Sequence, residues 1–234
     1  MLSEPASILY EDNHLLAVNK KAGQIVQGDK TGDIPLSEHF KAFIKQRDNK
    51  LGNVYLGVPH RLDRPVSGAL LFAKTGKALE RLNALIRERQ LQKIYWAITR
   101  FEPPHEEERL EQYIVKNEKQ NKSYICPASA PGAQRAELSY RLLARSQRYF
   151  LLEVQLHTGR HHQIRAQLSA MGCPIQGDLK YGDKRSNPDG SISLHARSLY
   201  LIHPVRQTPL EITAPVPESV LWRCFTDSLL QKSN

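Results

Sequence analysis

The chain has 234 residues, of which 40% are hydrophobic and 24% charged, with 33 Lys and Arg against 24 Asp and Glu and a formal net charge of +9. That length buries a real core in one domain or, at a stretch, two small ones, and the composition is ordinary for a soluble globular protein. Its apolar runs are too short to cross a bilayer, and the stretch from Met1 to Asp12 lacks the basic start and apolar core of a secretory signal.

In chain order, Ile8 to Tyr10 and Leu15 to Val18 read as a hairpin turning at Glu11, Asp12 and Asn13. Gly23, Gly28 and Gly32 mark a loop, after which Leu36, Phe40, Phe43 and Ile44 recur at helical spacing. Gly68 to Ala73 is a short apolar run predicted as a buried strand. Thr75 then caps a helix with Leu79, Leu82, Leu85 and Ile86 on its inner stripe. Leu91 to Thr99 returns to strand character, and Glu102 to Glu108 reads as a solvated acidic loop turned away from any polyanion. Further strands are expected at Leu110 to Val115, Ala136 to Ala144 and Tyr149 to Leu156. A helix from His161 to Met171, stopped by Gly172, follows. Asp183 to Gly190 is a polar loop, and strands near Leu199 and Leu210 complete the tail. Strands outnumber helices and do not alternate with them, so the expected class is α+β with a mixed, largely antiparallel, bent sheet flanked by helices. With no repeat or linker in view, residues 1–234 read as a single domain.

Cys126, Cys173 and Cys224 are widely separated and form no CxxC pair, which argues against zinc ligation and against a disulfide framework, and for reduced thiols in a cytoplasmic protein. The cationic excess favours a polyanionic partner such as nucleic acid. The most informative run is Pro59-His60-Arg61-Leu62-Asp63-Arg64-Pro65-Val66-Ser67-Gly68, a lone carboxylate among basic side chains in a loop that feeds an apolar strand. Taken by composition alone, Asp63 is a surface-turn residue pairing with Arg61 or Arg64. A loop leading into a buried strand is also a rigid platform on which functional side chains tend to be held.

This run resembles the HRLD-x-x-TSG motif of the RluA-type pseudouridine synthases, whose aspartate is catalytic. The likeness extends along nearly the whole chain. Val18-Asn19-Lys20-Lys21-Ala22-Gly23 is similar to the family's VNKPAG, and Lys93 to Ala97 to the strand that carries its tyrosine. Thr158 to Arg165 is similar to TGR-x-HQIR and runs on through Gly172 to Asp178 and Tyr181-Gly182; Leu194-His195-Ala196, His203-Pro204 and Ala214-Pro215 complete the pattern. Val66 stands where the motif usually has Thr, Lys21 where it has Pro, and Gln167 where it often has His. No extension precedes the first hairpin, so the S4-type RNA-binding domain of many relatives is expected to be absent.

The resemblance implies a pseudouridine synthase fold and an isomerase that converts uridine to pseudouridine in ribosomal or transfer RNA, with ribosomal RNA slightly favoured. The N1–C1′ glycosidic bond breaks, the uracil turns, and C5 rejoins C1′, so no cofactor or metal is needed in principle. Asp63 would be the essential carboxylate, and attack on the sugar, attack on the base and deprotonation of the sugar all remain open to it. Arg165 would be the guanidinium that keeps Asp63 ionised in a water-excluding pocket. Tyr95, pointing opposite to Ile94 and Trp96 on a strand, would stack on a base taken out of its helix or assist at C5. His60, Arg61, Leu62, Arg64, Arg160, His162, Gln163 and Ile164 would surround the pocket as substrate-binding residues, and Lys20 reads as an exposed lysine with phosphate contact as its alternative. The expected state is a cytoplasmic monomer with RNA as partner, no membrane and no obligatory protein partner.

Three rival readings are weaker. His157 and His161 have HxxxH spacing, but Arg160 and Arg165 would repel a metal cation. Hydrolytic glycosidases need two carboxylates where the motif region supplies one. A non-catalytic RNA-binding protein of the same fold would have no reason to keep Asp63, Tyr95 and Arg165 together.

Overall fold

The computed structural model describes residues 5–28 and 32–232. Residues 1–4 of the N-terminal reading and 29–31 of the expected glycine loop lie outside the described residues. The elements, in chain order, are strands β1 (Ser7–Glu11) and β2 (Leu15–Lys20), helix α1 (Leu36–Arg47), strand β3 (Ser67–Ala73), helix α2 (Gly76–Arg87), and strands β4 (Gln92–Thr99), β5 (Glu107–Asn117), β6 (Lys122–Cys126), β7 (Gln134–Arg145) and β8 (Phe150–Leu156). Helix α3 (Gln163–Ala170), a 3-10 turn (Leu179–Tyr181), strands β9 (Leu194–Ile202) and β10 (Pro209–Thr213), and helix α4 (Val220–Lys232) follow. The class is α+β, as expected from the sequence. None of the described helices is long and apolar enough to cross a membrane.

The chain divides into two compact units, one formed by residues 1–91 and 196–215 and the other by 92–195 and 216–234. In the first, Asp12 shapes the β1–β2 turn, its Oδ1 accepting the N–H groups of His14 and Leu15 at 2.7 and 2.8 Å. Strand β2 runs antiparallel to β3 from Leu15 opposite Ala73 to Lys20 opposite Gly68, and β9 pairs antiparallel with β10. All seven residues of β3 are buried, which is why its sequence is a continuous apolar run and not an alternating one. Thr75 caps α2 as expected, accepting the Ala78 N–H at 3.1 Å. Leu79, Leu82, Leu85 and Ile86 then lay the inner stripe of α2 on Leu15, Ala17, Ala69, Leu71, Leu199 and Leu201.

The second unit carries the antiparallel order β4-β8-β7-β5-β6. Helix α4 lays Trp222 and Phe225 against Ile98, Ala144 and Leu151, while α3 places Ala166 with Ala136, Ile114 and Tyr181. A bulge between Leu142 and Ala144 turns β7 so that Ala144 joins the α4 side, whereas Leu142 stays with Leu152 and Ala97 on the other.

Four features differ from the sequence reading. Strand β5 begins at Glu107, inside the expected acidic loop, because Glu107 and Glu108 pair across the ladder with Arg141 and Tyr140. Strand β6 was not expected: Lys122 to Cys126 is a short polar stretch that becomes a strand only by pairing with β5. Helix α4 was also not expected, although Leu221, Trp222, Phe225 and Leu229 stand at helical spacing. Helix α3 starts at Gln163 and not His161, because His162 takes the left-handed conformation with φ 53°.

Gly68 sits at φ 119°, and a Cβ there would lie 2.3 Å from the carbonyl oxygen of Ala196. Both the backbone conformation and the close approach of β9 demand glycine. Gly68→Ala is expected to destabilise the protein by about 3 kcal/mol in urea unfolding. Gly76→Ala, at the start of α2 with open space around it, is expected to be neutral or to stabilise by about 0.5 kcal/mol.

Candidate active site

Asp63 lies half-buried in the loop before β3. Its carbonyl accepts the Val66 N–H at 3.0 Å, closing a turn through Arg64 and Pro65, where the proline ring restricts φ. Leu62 beside it is buried and Arg61 is exposed, so the chain alternates between anchor and free arm on the way into the turn. His60 Nε2 accepts the Leu71 N–H at 3.1 Å, which puts the ring proton on Nδ1 and ties the loop to β3. The Arg64 guanidinium meets Asp33 at 2.6 Å, and its carbonyl takes the Gly23 N–H at 2.8 Å. A cleft of about 430 Å³ opens beside this loop, lined by Gly23, Gln24, Ile25, Asp33, Ile34 and His39 among others.

Lys20, read from sequence as exposed, is completely buried, at 0% exposure. Its Nζ shares three protons among four carbonyls within hydrogen-bonding distance, those of Val66 at 2.7 Å, Lys21 at 3.1 Å, and Asp63 and Arg64 at 3.2 Å each. Burial pulls its ammonium down from the usual lysine range to about 7; the Asp63 carboxylate opposes that fall and the Arg64 guanidinium adds to it. Strand β2 is buried at five of its six positions, Lys20 among them, so the end of the strand carries this side chain inward.

In the second unit, the turn before α3 is held by Gln163. Its Oε1 accepts the Thr158 hydroxyl at 2.7 Å and the Arg160 N–H at 3.0 Å, and its Nε2 donates to the Glu137 carbonyl at 3.0 Å. The Gln163 amide thus supports the segment that presents Arg160, whose Nε reaches the Arg135 carbonyl while the side chain stays exposed. Ile164 is buried and anchors α3. Gln167 is fully buried, with Nε2 within 3.2–3.5 Å of three acceptors, Gln112 Oε1 and the carbonyls of Leu110 and Ala136.

Arg165 is 5% exposed and grips Asp178 with two nitrogens, Nε to Oδ2 at 2.7 Å and Nη2 to Oδ1 at 2.9 Å. Asp178 is 1% exposed, so this is a fork-on-fork pair out of water. The guanidinium also lies over the Tyr181 ring, 4.9 Å from its centroid, and the Lys122 ammonium lies 5.0 Å from the same ring. The Tyr181 hydroxyl accepts the Ser123 N–H at 2.8 Å and stands 3.0 Å from His162 Nδ1. Burial, Arg165 and the neighbouring His161 drive His162 down to about 2, so its ring is neutral. His162 is stacked on His161 at 3.7 Å.

Tyr95, on β4, is 7% exposed and faces the side opposite Trp96 and Ile98, which pack towards α4. The expected alternation therefore holds, with Tyr95 the more buried member. Its cross-strand partner is Val154, which in turn pairs with Tyr140. Asp178 is the residue that sequence reasoning missed as a partner of Arg165, though it stood in view inside the Gly177-Asp178 motif segment.

The family described as RNA pseudouridylate synthase matches residues 14–170, a stretch that takes in Asp63, Tyr95 and Arg165. The chain belongs to this family. The ribosomal large subunit pseudouridine synthase C of Vibrio cholerae is 34% identical over 89% of the chain and 65% of its own length. A tRNA pseudouridine synthase C of Pectobacterium carotovorum is 34% identical over 88% of the chain and 58% of its own length. The chain spans about two thirds of the length of the first curated relatives it matches. Among solved structures, human RNA pseudouridylate synthase domain containing 4 superposes with a TM-score of 0.80 at 26% identity, covering 96% of this chain and 93% of that one. The fold is therefore that of the pseudouridine synthases.

Two outcomes follow from the geometry in the second unit. Asp178→Ala leaves the Arg165 guanidinium without its fork and is expected to cost about 3–5 kcal/mol in urea unfolding. The His162 ring protons are expected to show no titration by NMR between pH 5 and 8, in contrast to an exposed histidine in the same range.

Proposed function

We propose that the chain is an RNA pseudouridine synthase, an isomerase that rearranges uridine within an RNA strand. The observation that carries this reading is the family match over residues 14–170, with Asp63 at the motif position inside a turn that the protein builds with dedicated hydrogen bonds. In the proposed reaction the N1–C1′ bond breaks, the uracil rotates while held, C5 bonds to C1′, the C5 proton leaves and N1 gains one. Substrate and product have the same mass. The carboxylate of Asp63 assists the departure of the base, by attack on the sugar, attack on the base or removal of a sugar proton.

In this reading residues 1–234 act as one catalytic domain. Arg165 serves as the cation of the site and Tyr95 offers its ring or hydroxyl to the extruded base. The exposed guanidiniums of Arg61 and Arg160 contact phosphate, with Arg64 in the same role once Asp33 yields it. His162 presents a neutral imidazole to the substrate. His60, Leu62, Gln163 and Ile164 serve binding by holding the two loops in shape, which their hydrogen bonds and burial support. Ribosomal RNA is the favoured substrate over transfer RNA, since relatives carry both names and the ribosomal ones recur among the first matches. The protein works as a cytoplasmic monomer without a cofactor.

The test is tritium release from RNA labelled at uridine C5, combined with mass analysis of the product nucleoside. Asp63→Asn is expected to abolish release, by a factor on the order of 10⁴ or more, while unfolding at the same urea concentration as the parent. RNA binding without tritium release by the parent protein would favour the non-catalytic alternative, and free uracil would favour a hydrolase.

A further inference from the structure

We infer that Lys20 is a positioning residue for the reaction: its buried ammonium, closed within four backbone carbonyls, sets the shape of the turn 63–66 and through it the aim of the Asp63 carboxylate. This rests on the isomerase reading above. Three of the four acceptors, the carbonyls of Asp63, Arg64 and Val66, belong to that turn, and the fourth is Lys21, next in the chain to the donor. No strand ladder can reach oxygens that converge on one point, so a side chain with several N–H groups on a single atom is the economical solution. Lysine also adds a full positive charge where carbonyl dipoles point inward.

The cage is specific to the turn and is not a general prop. Lys20 ends β2, opposite Gly68 at the start of β3, so the donor and the turn are anchored to the same strand pair. The same turn is braced from outside by the Gly23 N–H on the Arg64 carbonyl. Charged groups acting on the ammonium are the Asp63 carboxylate, which favours it, and the Arg64 guanidinium, which opposes it, both from the turn itself. Loss of the Lys20 proton removes a donor from the cage and loosens the turn, so the aim of Asp63 becomes a function of pH.

The linkage sign separates this role from simple support. The folded Lys20 ionises near 7 and an unfolded lysine near 10.5. Between those values the unfolded chain binds more protons, so the Lys20 contribution to fold stability rises as pH increases. Turnover is expected to move the other way. The experiment uses the full chain and its Lys20→Met variant, with kcat and KM from tritium release between pH 5.5 and 9 and urea unfolding at each pH. The parent should lose kcat as pH passes through about 7 while stability does not fall. Lys20→Met should have a kcat lower by on the order of 10²-fold at pH 6, with KM little changed. It should lack the alkaline limb and match the parent's high-pH plateau. Parent-like kcat and an unchanged limb in a folded Lys20→Met would overturn the inference. If Lys20→Met does not fold, the parent decides alone: a kcat that stays level through pH 7, or that falls only together with stability, overturns it. If the parent releases no tritium at any pH, the isomerase reading fails separately. Amide exchange at Val66 then tests the clamp, with faster exchange in Lys20→Met supporting it and unchanged exchange overturning it.

Discussion

Backbone carbonyls that leave the sheet ladders and turn inward need donors, and in the loop carrying Asp63 one lysine serves several at once, beside the Val66 and Gly23 N–H groups that reach two of them. A buried carbonyl left without a partner costs on the order of 1–3 kcal/mol, so several oxygens converging at one place would unsettle any turn. The Lys20 ammonium brings them together. Dehydrating that ammonium has its own cost, expressed as its pull towards about 7. The geometry of the turn and the ionisation of one amine are therefore the same physical fact seen from two sides.

The second unit solves a similar problem with neutral and paired groups. Gln163 holds the chain before α3 by accepting from Thr158 and Arg160 and donating to the Glu137 carbonyl. Tyr181 bridges the start of β6 and His162, and its ring carries Arg165 and Lys122 on its faces. The Asp178 carboxylate takes the charge of Arg165 in a bidentate contact that only an arginine can make. A histidine placed among these cations and out of water has no reason to take a proton, so His162 acts as a fixed dipole and not as a titrating acid. Rigid side chains supported by their neighbours are what a site needs to hold a reacting group in line.

Much of the fold was legible because its elements obey local rules. The Asp12 turn, the Thr75 cap and the inner stripe of α2 follow from residue type and spacing alone. Strand β6 and the start of α3 do not. Strand β6 is polar and short, and only the ladder with β5 makes it a strand. The left-handed His162 shortens α3 because the side chain of Gln163 bonds back to Arg160, a contact invisible to periodicity. Helix α4 does obey local rules, with Leu221, Trp222, Phe225 and Leu229 at helical spacing on its packed face.

By itself the sequence determined the family, the α+β class and the motif positions of Asp63, Tyr95 and Arg165, because those depend on residue types in order along the chain. Only the tertiary structure decided that Lys20 is buried, that Asp178 is a partner of Arg165, and that His162 is neutral. These are properties of environment: they arise from which oxygens and charges are brought together out of water by residues far apart in the chain. A lysine at the end of an apolar run looks the same in sequence whether its amine meets solvent or a ring of carbonyls.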